Sequence, residues 1–187
     1  MKLIITILLL LIPFSTFARC DEENARNAVS EEISLRGASR KIILEIRDFD
    51  EKYYYKRTPL SKVFEAPEQL ACSMKRSVVM DIAASTSMNI IEDCEEKIKE
   101  WRQDAQSFNQ DGQKMFSVWE EVYDQCSNVR DKDLRGKVRL YYDQRDSYKW
   151  TMDHILNKRI APLEKKCQEE KKYLQDAIAI KDTQNCG

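Results

Sequence analysis

The sequence predicts an all-α fold: an elongated up-and-down antiparallel helical bundle of about four long helices, stapled by disulfides. Only four glycines and four prolines occur in 187 residues, so the chain has few places to turn. Charged residues make up 34% of it and alternate with apolar ones at steps of three and four, the spacing of amphipathic helices. Six cysteines, Cys20, Cys72, Cys94, Cys126, Cys167 and Cys186, all follow an apolar N-terminal stretch. Alternating strand patterns of useful length are absent.

The N-terminal stretch sets the redox context. Lys2 supplies a short basic start, Leu3 to Phe14 is apolar apart from Thr6 and Pro13, and Ser15, Thr16 and Ala18 offer small residues for cleavage. The expectation is a signal peptide over residues 1–18, cleaved after Ala18, and a single disulfide-linked helical domain over 19–187. Arg19 disfavours the alternative of a lipid-anchored Cys20, because lipoprotein signals place a small residue there. Removing 18 from 187 leaves 169 residues, with 30 basic side chains (31 less Lys2) against 32 acidic ones. Such near neutrality carries no bulk basic signature for nucleic acid. No later apolar run reaches the roughly 20 residues needed to cross a bilayer. The expected location is secreted, or periplasmic in a bacterium.

An exported chain with six cysteines is expected to pair all of them. The shortest gap, from Cys167 to Cys186, is too wide for a zinc knuckle, so no metal is expected on thiolates.

The first helix is expected to begin at Asp21, which can cap free amides while Glu22 and Glu23 complement the positive helix end. Leu35, Ile42, Ile46, Phe49 and Tyr53 mark its apolar stripe, which stops near Lys56 and Arg57 before Thr58 and Pro59. Residues 58–66 read as a connector. Pro67 with Glu68 reads as the first turn of a second helix, because proline loses no needed hydrogen bond there. The seam of that helix runs Ile91, Cys94, Ile98, Trp101, Ala105 and Phe108. Asn109, Gln110, Asp111 and Gly112 read as a turn into a third helix with seam residues Met115, Trp119, Val122, Cys126 and Val129.

Beyond Val129 the next apolar residue of the seam is Leu134, a phase slip or a break. The repeat resumes as Leu134, Val138, Tyr141, Arg145, Tyr148, Met152 and Ile155 until Lys158 and Arg159. Pro162 is expected to open a last helix with the stripe Leu163, Cys167, Leu174 and Ala177 or Ile178.

This layout assigns the cysteines. Cys94 precedes position 110 by 16 residues and Cys126 follows it by 16 (110 − 94 and 126 − 110). In a hairpin turning there, both stand roughly 24 Å from the turn at about 1.5 Å per residue, within bridging reach. A Cys94–Cys126 disulfide is therefore expected. Cys72 with Cys167 and Cys20 with Cys186 are the remaining pairs.

The sequence contains no motif that announces a reaction. His154 is the only histidine and falls on a flanking helix face. Glu31, Glu32, Glu95, Glu96, Glu120, Glu121, Glu169 and Glu170 form adjacent pairs that do not face each other on a helix. A bundle di-iron site requires Glu-x-x-His, which is absent. Gly-rich phosphate loops, nucleophile elbows and calcium loops are absent too. No catalytic residue, cofactor or metal is expected, and the chain reads as a non-enzyme.

Two features suggest contacts instead. Tyr53, Tyr54, Tyr55, Lys56 and Arg57 put three aromatics and two cations at one bundle end, residue types favoured in binding hot spots. Arg145 interrupts an apolar seam between Tyr141 and Tyr148 and is expected to pair with a carboxylate on another helix. Export, long seams and the absence of catalytic groups point to a protein-protein interaction module with an unknown protein partner. Two other readings are a carrier of a small apolar ligand, motivated by Trp101, Trp119, Tyr141, Tyr148 and Trp150, and a secreted helical signalling factor.

Overall fold

The computed structural model describes residues 20–55 and 58–186, without the side chains of Tyr54 and Tyr55. The expected signal peptide over residues 1–18 lies outside the described residues, as do Lys56 and Arg57. Helix α1 spans Glu22–Asp50 and runs on through a π-helical turn, Glu51–Tyr55. Two short helices follow, α2 at Leu60–Val63 and α3 at Pro67–Arg76. Helix α4 covers Val78–Cys126 in 49 residues, about 73 Å of continuous helix. Helices α5 (Lys132–Arg139) and α6 (Tyr141–Asp153), a second π-helical stretch (His154–Ile160) and α7 (Ala161–Ile180) form one further rod. Every described residue in a regular element is helical, as expected.

Asp21 caps α1 as its sequence implies, its carboxylate accepting the amides of Glu23 and Asn24 at 3.1 and 3.0 Å. The half-buried Leu35 and Tyr53 and the buried Ala25, Ala28, Glu32, Ser39, Ile42, Ile46 and Phe49 follow one another at alternating steps of three and four. Pro67 opens α3, but the second helix is not continuous from there. Ser77 takes an extended conformation (φ −142°, ψ 114°) and separates α3 from α4.

The expected turn at residues 109–112 does not exist, because Gly112 lies inside α4. The seam keeps its phase across it: Ile91, Cys94, Ile98, Trp101, Ala105, Phe108, Gly112, Met115, Trp119, Val122 and Cys126 are all buried. The missing side chain leaves room for Tyr148, whose ring end would collide with a Cβ at position 112. Tyr148 also donates its hydroxyl to the Phe108 carbonyl at 2.7 Å.

Nor does the chain reverse at 160–162. Residues 154–160 widen into a π-helix, with the Ala161 amide bonded to the Leu156 carbonyl, and the rod continues into α7. Proline at 162 cannot supply the amide that an α-helix needs, and the wider turn accommodates that loss. The real reversal after α4 occurs at 127–131, where Asp131 caps α5 through the amides of Asp133 and Leu134. Among the described residues three long rods therefore stand where about four were expected, α1 and α5–α7 each antiparallel to α4.

The interior divides into three layers along the rod axis. At one end Ala25 and Ala28 make room for Phe116 and Trp119, with Leu134, Val138 and Tyr141 closing the layer. In the middle, Ile42, Ile46 and Phe49 pack on Ile98, Trp101, Ile155 and Leu163. At the far end Leu60, Leu70, Met74, Ala84, Ile91, Leu174 and Ala177 form a layer to which α1 contributes no buried residue.

All three expected disulfide pairings are overturned. Cys20 bonds Cys126, Cys94 bonds Cys167 and Cys72 bonds Cys186, with Cα separations of 4.8, 6.5 and 5.4 Å. Cys94 and Cys126 lie on one continuous helix about 48 Å apart along its axis, far beyond bridging distance. Cys167 cannot meet Cys72, because α7 passes Cys94 before it reaches the α3 end. Cys20–Cys126 thereby lies in the first layer and Cys94–Cys167 in the central one, while Cys72–Cys186 ties α3 to the segment beyond α7.

Candidate interaction surface

At the α3 end of the molecule, no described residue covers the outer face of the first turns of α4. Of the expected patch Tyr53–Arg57, Tyr53 to Tyr55 form the end of the π-helical turn that follows α1. Tyr53 is half-buried, its ring centroid 4.4 Å from that of Phe49 and 4.7 Å from the Lys52 ammonium. It lines a hollow of about 370 Å³ together with Pro59, Leu60, Ala83, Thr86 and Ile90. Tyr53 thus belongs partly to the core, and of the expected patch it is the one residue with a described side chain.

Beside this hollow lies a feature that the seam pattern alone did not reveal. Val78, Val79 and Ile82 are 76%, 73% and 61% exposed on the first turns of α4. Ser85, Thr86 and Asn89 continue the exposed face, and Thr86 joins it to the hollow. At about 100° per residue these six side chains span an arc of roughly 120° centred near Ile82. Ala84, Met88 and Ile91 occupy the opposite side, against α3 and α7.

Charge is nearly absent from this segment. Of the fifteen residues 77–91 only Asp81 is charged, in a chain that is 34% charged overall. Lys181, the residue just past α7, reaches Asp81 at 2.8 Å and neutralises it. The Thr86 hydroxyl donates to the Ile82 carbonyl at 2.8 Å, which leaves its methyl group facing outward. A helix apolar on both sides is ordinarily covered on both. The sequence signal was this charge-poor run, which a search for chemical motifs passes over.

The other candidates are dispersed. His154 stacks on the exposed Trp150 at 5.0 Å and accepts a hydrogen bond from Arg159 Nε at 3.0 Å. Arg145 contacts Asp146 of its own helix and lies over the rings of Tyr141 and Tyr142, in place of the expected bridge to another helix. A hydrogen bond to Tyr141, above all, raises the pKa of its guanidinium further. Trp101 and Trp119 are buried in the core, and Trp101 Nε1 donates to Glu45 at 3.3 Å.

The acidic and basic pairs of α7 are divided among helices. Lys166 binds Asp50 at 2.9 Å and Lys171 binds Glu95 at 2.6 Å, tying α7 to α1 and α4. Glu170 is buried and accepts both the amide and the hydroxyl of Ser61, holding α2 in place. Among the described residues, no group of three or more His, Cys, Asp or Glu side chains is arranged to hold a metal. No helix among them is long and apolar enough to cross a membrane. Three disulfides are consistent with an oxidising compartment.

Comparison with protein-family models, curated proteins and solved structures finds no match.

Proposed function

We propose that the chain is a secreted or periplasmic non-enzymatic helical protein that acts as a protein-protein interaction module. The observation that carries this reading is the exposed, charge-depleted face of Val78, Val79 and Ile82 on α4. Depletion of charge marks the centre of protein interfaces, and adjoining exposed apolar side chains mark contact sites. Cys94–Cys167 ties α4 to α7 and Cys72–Cys186 ties α3 to the segment beyond α7, so the helices next to this face keep a fixed relation, which lowers the ordering cost of docking.

A photo-crosslinking side chain at position 82, compared with the same probe at the exposed Lys149, tests the reading in the native exported fraction. The expected result is a polypeptide adduct at 82 and none at 149. Equal or absent adducts at both positions would remove the face from consideration.

The carrier reading draws on the hollow beside Tyr53, whose lining includes Leu60, Ala83 and Ile90. Native mass spectrometry after gentle purification tests it: a reproducible bound apolar molecule supports it, and an unliganded mass argues against it.

A further inference from the structure

We infer that a second copy of this chain docks on the Val78, Val79 and Ile82 face, through an antiparallel two-fold contact of the two α4 helices centred on Ile82. The inference rests on reading this face as an interaction surface and adds its occupant. A two-fold contact sets residue 82 against its own copy, and residues equally far before and after 82 against each other. Val78 then meets Thr86, and Val79 meets Ser85. All of these side chains are exposed in the single chain.

The segment is suited to meet itself in two ways. Larger valines in the first turn face smaller hydroxyl residues about two turns later, so the ridge of one helix enters the shallower part of the other. The Thr86 hydroxyl is already bonded to the Ile82 carbonyl, so the methyl group it presents to Val78 needs no polar partner.

Electrostatics point the same way. Most surfaces of a chain with 34% charged residues would set like charges against each other across a two-fold axis. Here the only charge in residues 77–91 is Asp81, which lies at the flank of the face and is held by Lys181. Charged residues resume at Glu92 and Asp93, which limits the contact to about three helical turns. That area is smaller than the roughly 800 Å² per partner of a standard interface, so the dimer belongs at the weak end of the affinity range.

Sedimentation velocity of the full chain between about 1 and 500 µM, a span suited to weak pairing, tests this. The expected result is a concentration-dependent monomer–dimer equilibrium. Ile82→Asp and Ile82→Lys should each weaken it at least about tenfold, the equivalent of 1.4 kcal/mol, with an unchanged helical circular dichroism spectrum. Val118→Asp, at an exposed site elsewhere on α4, should leave it intact.

An equimolar mixture of the Ile82→Asp and Ile82→Lys chains should dimerise again, because only a two-fold contact places residue 82 against residue 82. A chain that stays monomeric throughout, a dimer indifferent to both substitutions, or a mixture that fails to pair would each overturn the inference. A monomeric chain that forms an adduct at position 82 with a different polypeptide overturns self-pairing and leaves the interaction reading standing. A monomeric chain with no adduct sinks both.

Discussion

The ring end of Tyr148 fills the space that a Cβ on Gly112 would occupy. Tyr148 is fixed there by Phe108 and Phe116, with ring centroids 5.1 and 5.2 Å away, and by its hydrogen bond to the Phe108 carbonyl. Gly112→Ala should therefore destabilise the protein by about 1–3 kcal/mol through overpacking, despite alanine's helix advantage of about 1 kcal/mol. Gly37→Ala and Gly136→Ala, where a Cβ meets nothing within 4 Å, should instead stabilise by a few tenths to about 1 kcal/mol. Urea unfolding of the three variants checks the sign. A stabilising Gly112→Ala would show that Tyr148 yields easily.

The difference between Gly112 and a true turn was legible in phase. From Ile91 to Cys126 the seam never leaves its three-four alternation, which a reversal has no reason to preserve. Steps of five were the ambiguous signal. The step from Val129 to Leu134 is a break, and Asp131 stands there to cap the new helix. The step from Ile155 to Ile160 is a one-residue insertion absorbed by π-helix, and no side chain caps α7. Cap chemistry, not glycine or proline count, separates the two cases.

Once the reversal is placed at 130, the equidistance argument selects the central disulfide. Cys94 precedes 130 by 36 residues (130 − 94) and Cys167 follows it by 37 (167 − 130). Non-reducing peptide mapping should recover Cys20–Cys126, Cys94–Cys167 and Cys72–Cys186. A Cys94–Cys126 peptide would refute the continuous α4.

Loop closure alone ranks the three bridges almost equally, at about 4–5 kcal/mol each for their separations of 106, 114 and 73 residues. Burial separates them. Cys94 and Cys167 are both inaccessible to solvent in the central layer, whereas Cys72 and Cys186 are half-buried near the chain end. Replacing Cys94 and Cys167 together by alanine should lower the urea midpoint more than the corresponding Cys72 and Cys186 double variant. The reverse order would place the weight of stability at the α3 end.

Burial pushes the Tyr148 hydroxyl up to about 12, with Asp111 adding to the effect. Its raised pKa means that the folded chain holds the phenolic proton more tightly than the unfolded one. The associated stability is present below about pH 10, the unfolded value, and is lost as pH rises from about 10 through about 12. Relative to Tyr148→Phe, the parent chain should lose about 1 kcal/mol across that window, the half-buried hydroxyl being partly screened by solvent. Rapid-mixing fluorescence-detected urea unfolding at pH 9 and 11.5 measures it, and a constant difference between the two proteins would show that Tyr148 does not titrate with folding.

The site was less legible than the fold, because its informative residues are ordinary ones. Tyr53–Arg57 drew notice through residue type, yet Tyr53 packs on Phe49. Val78, Val79 and Ile82 lie in an apolar run whose two faces periodicity does not tell apart, and α3 and α7 cover the other side of α4. Periodicity shows that a helix has an apolar face; which of two apolar faces finds a cover depends on where α1 stops.

What holds the connector beneath that uncovered face is Glu170. Its carboxylate receives the Ser61 amide and hydroxyl, and Tyr173 one turn along donates to the Phe64 carbonyl at 2.9 Å, so α2 is pinned at both ends to α7. Glu170→Ala leaves the Ser61 donors without their acceptor in a largely covered place, a loss of about 1–3 kcal/mol. Detachment should be local, since α2 contributes only Leu60 to the buried layer. Hydrogen exchange should quicken at residues 60–64 while the amides of Ile98 to Trp119 keep their protection. Uniform acceleration along α4 would instead mean that Glu170 supports the whole rod.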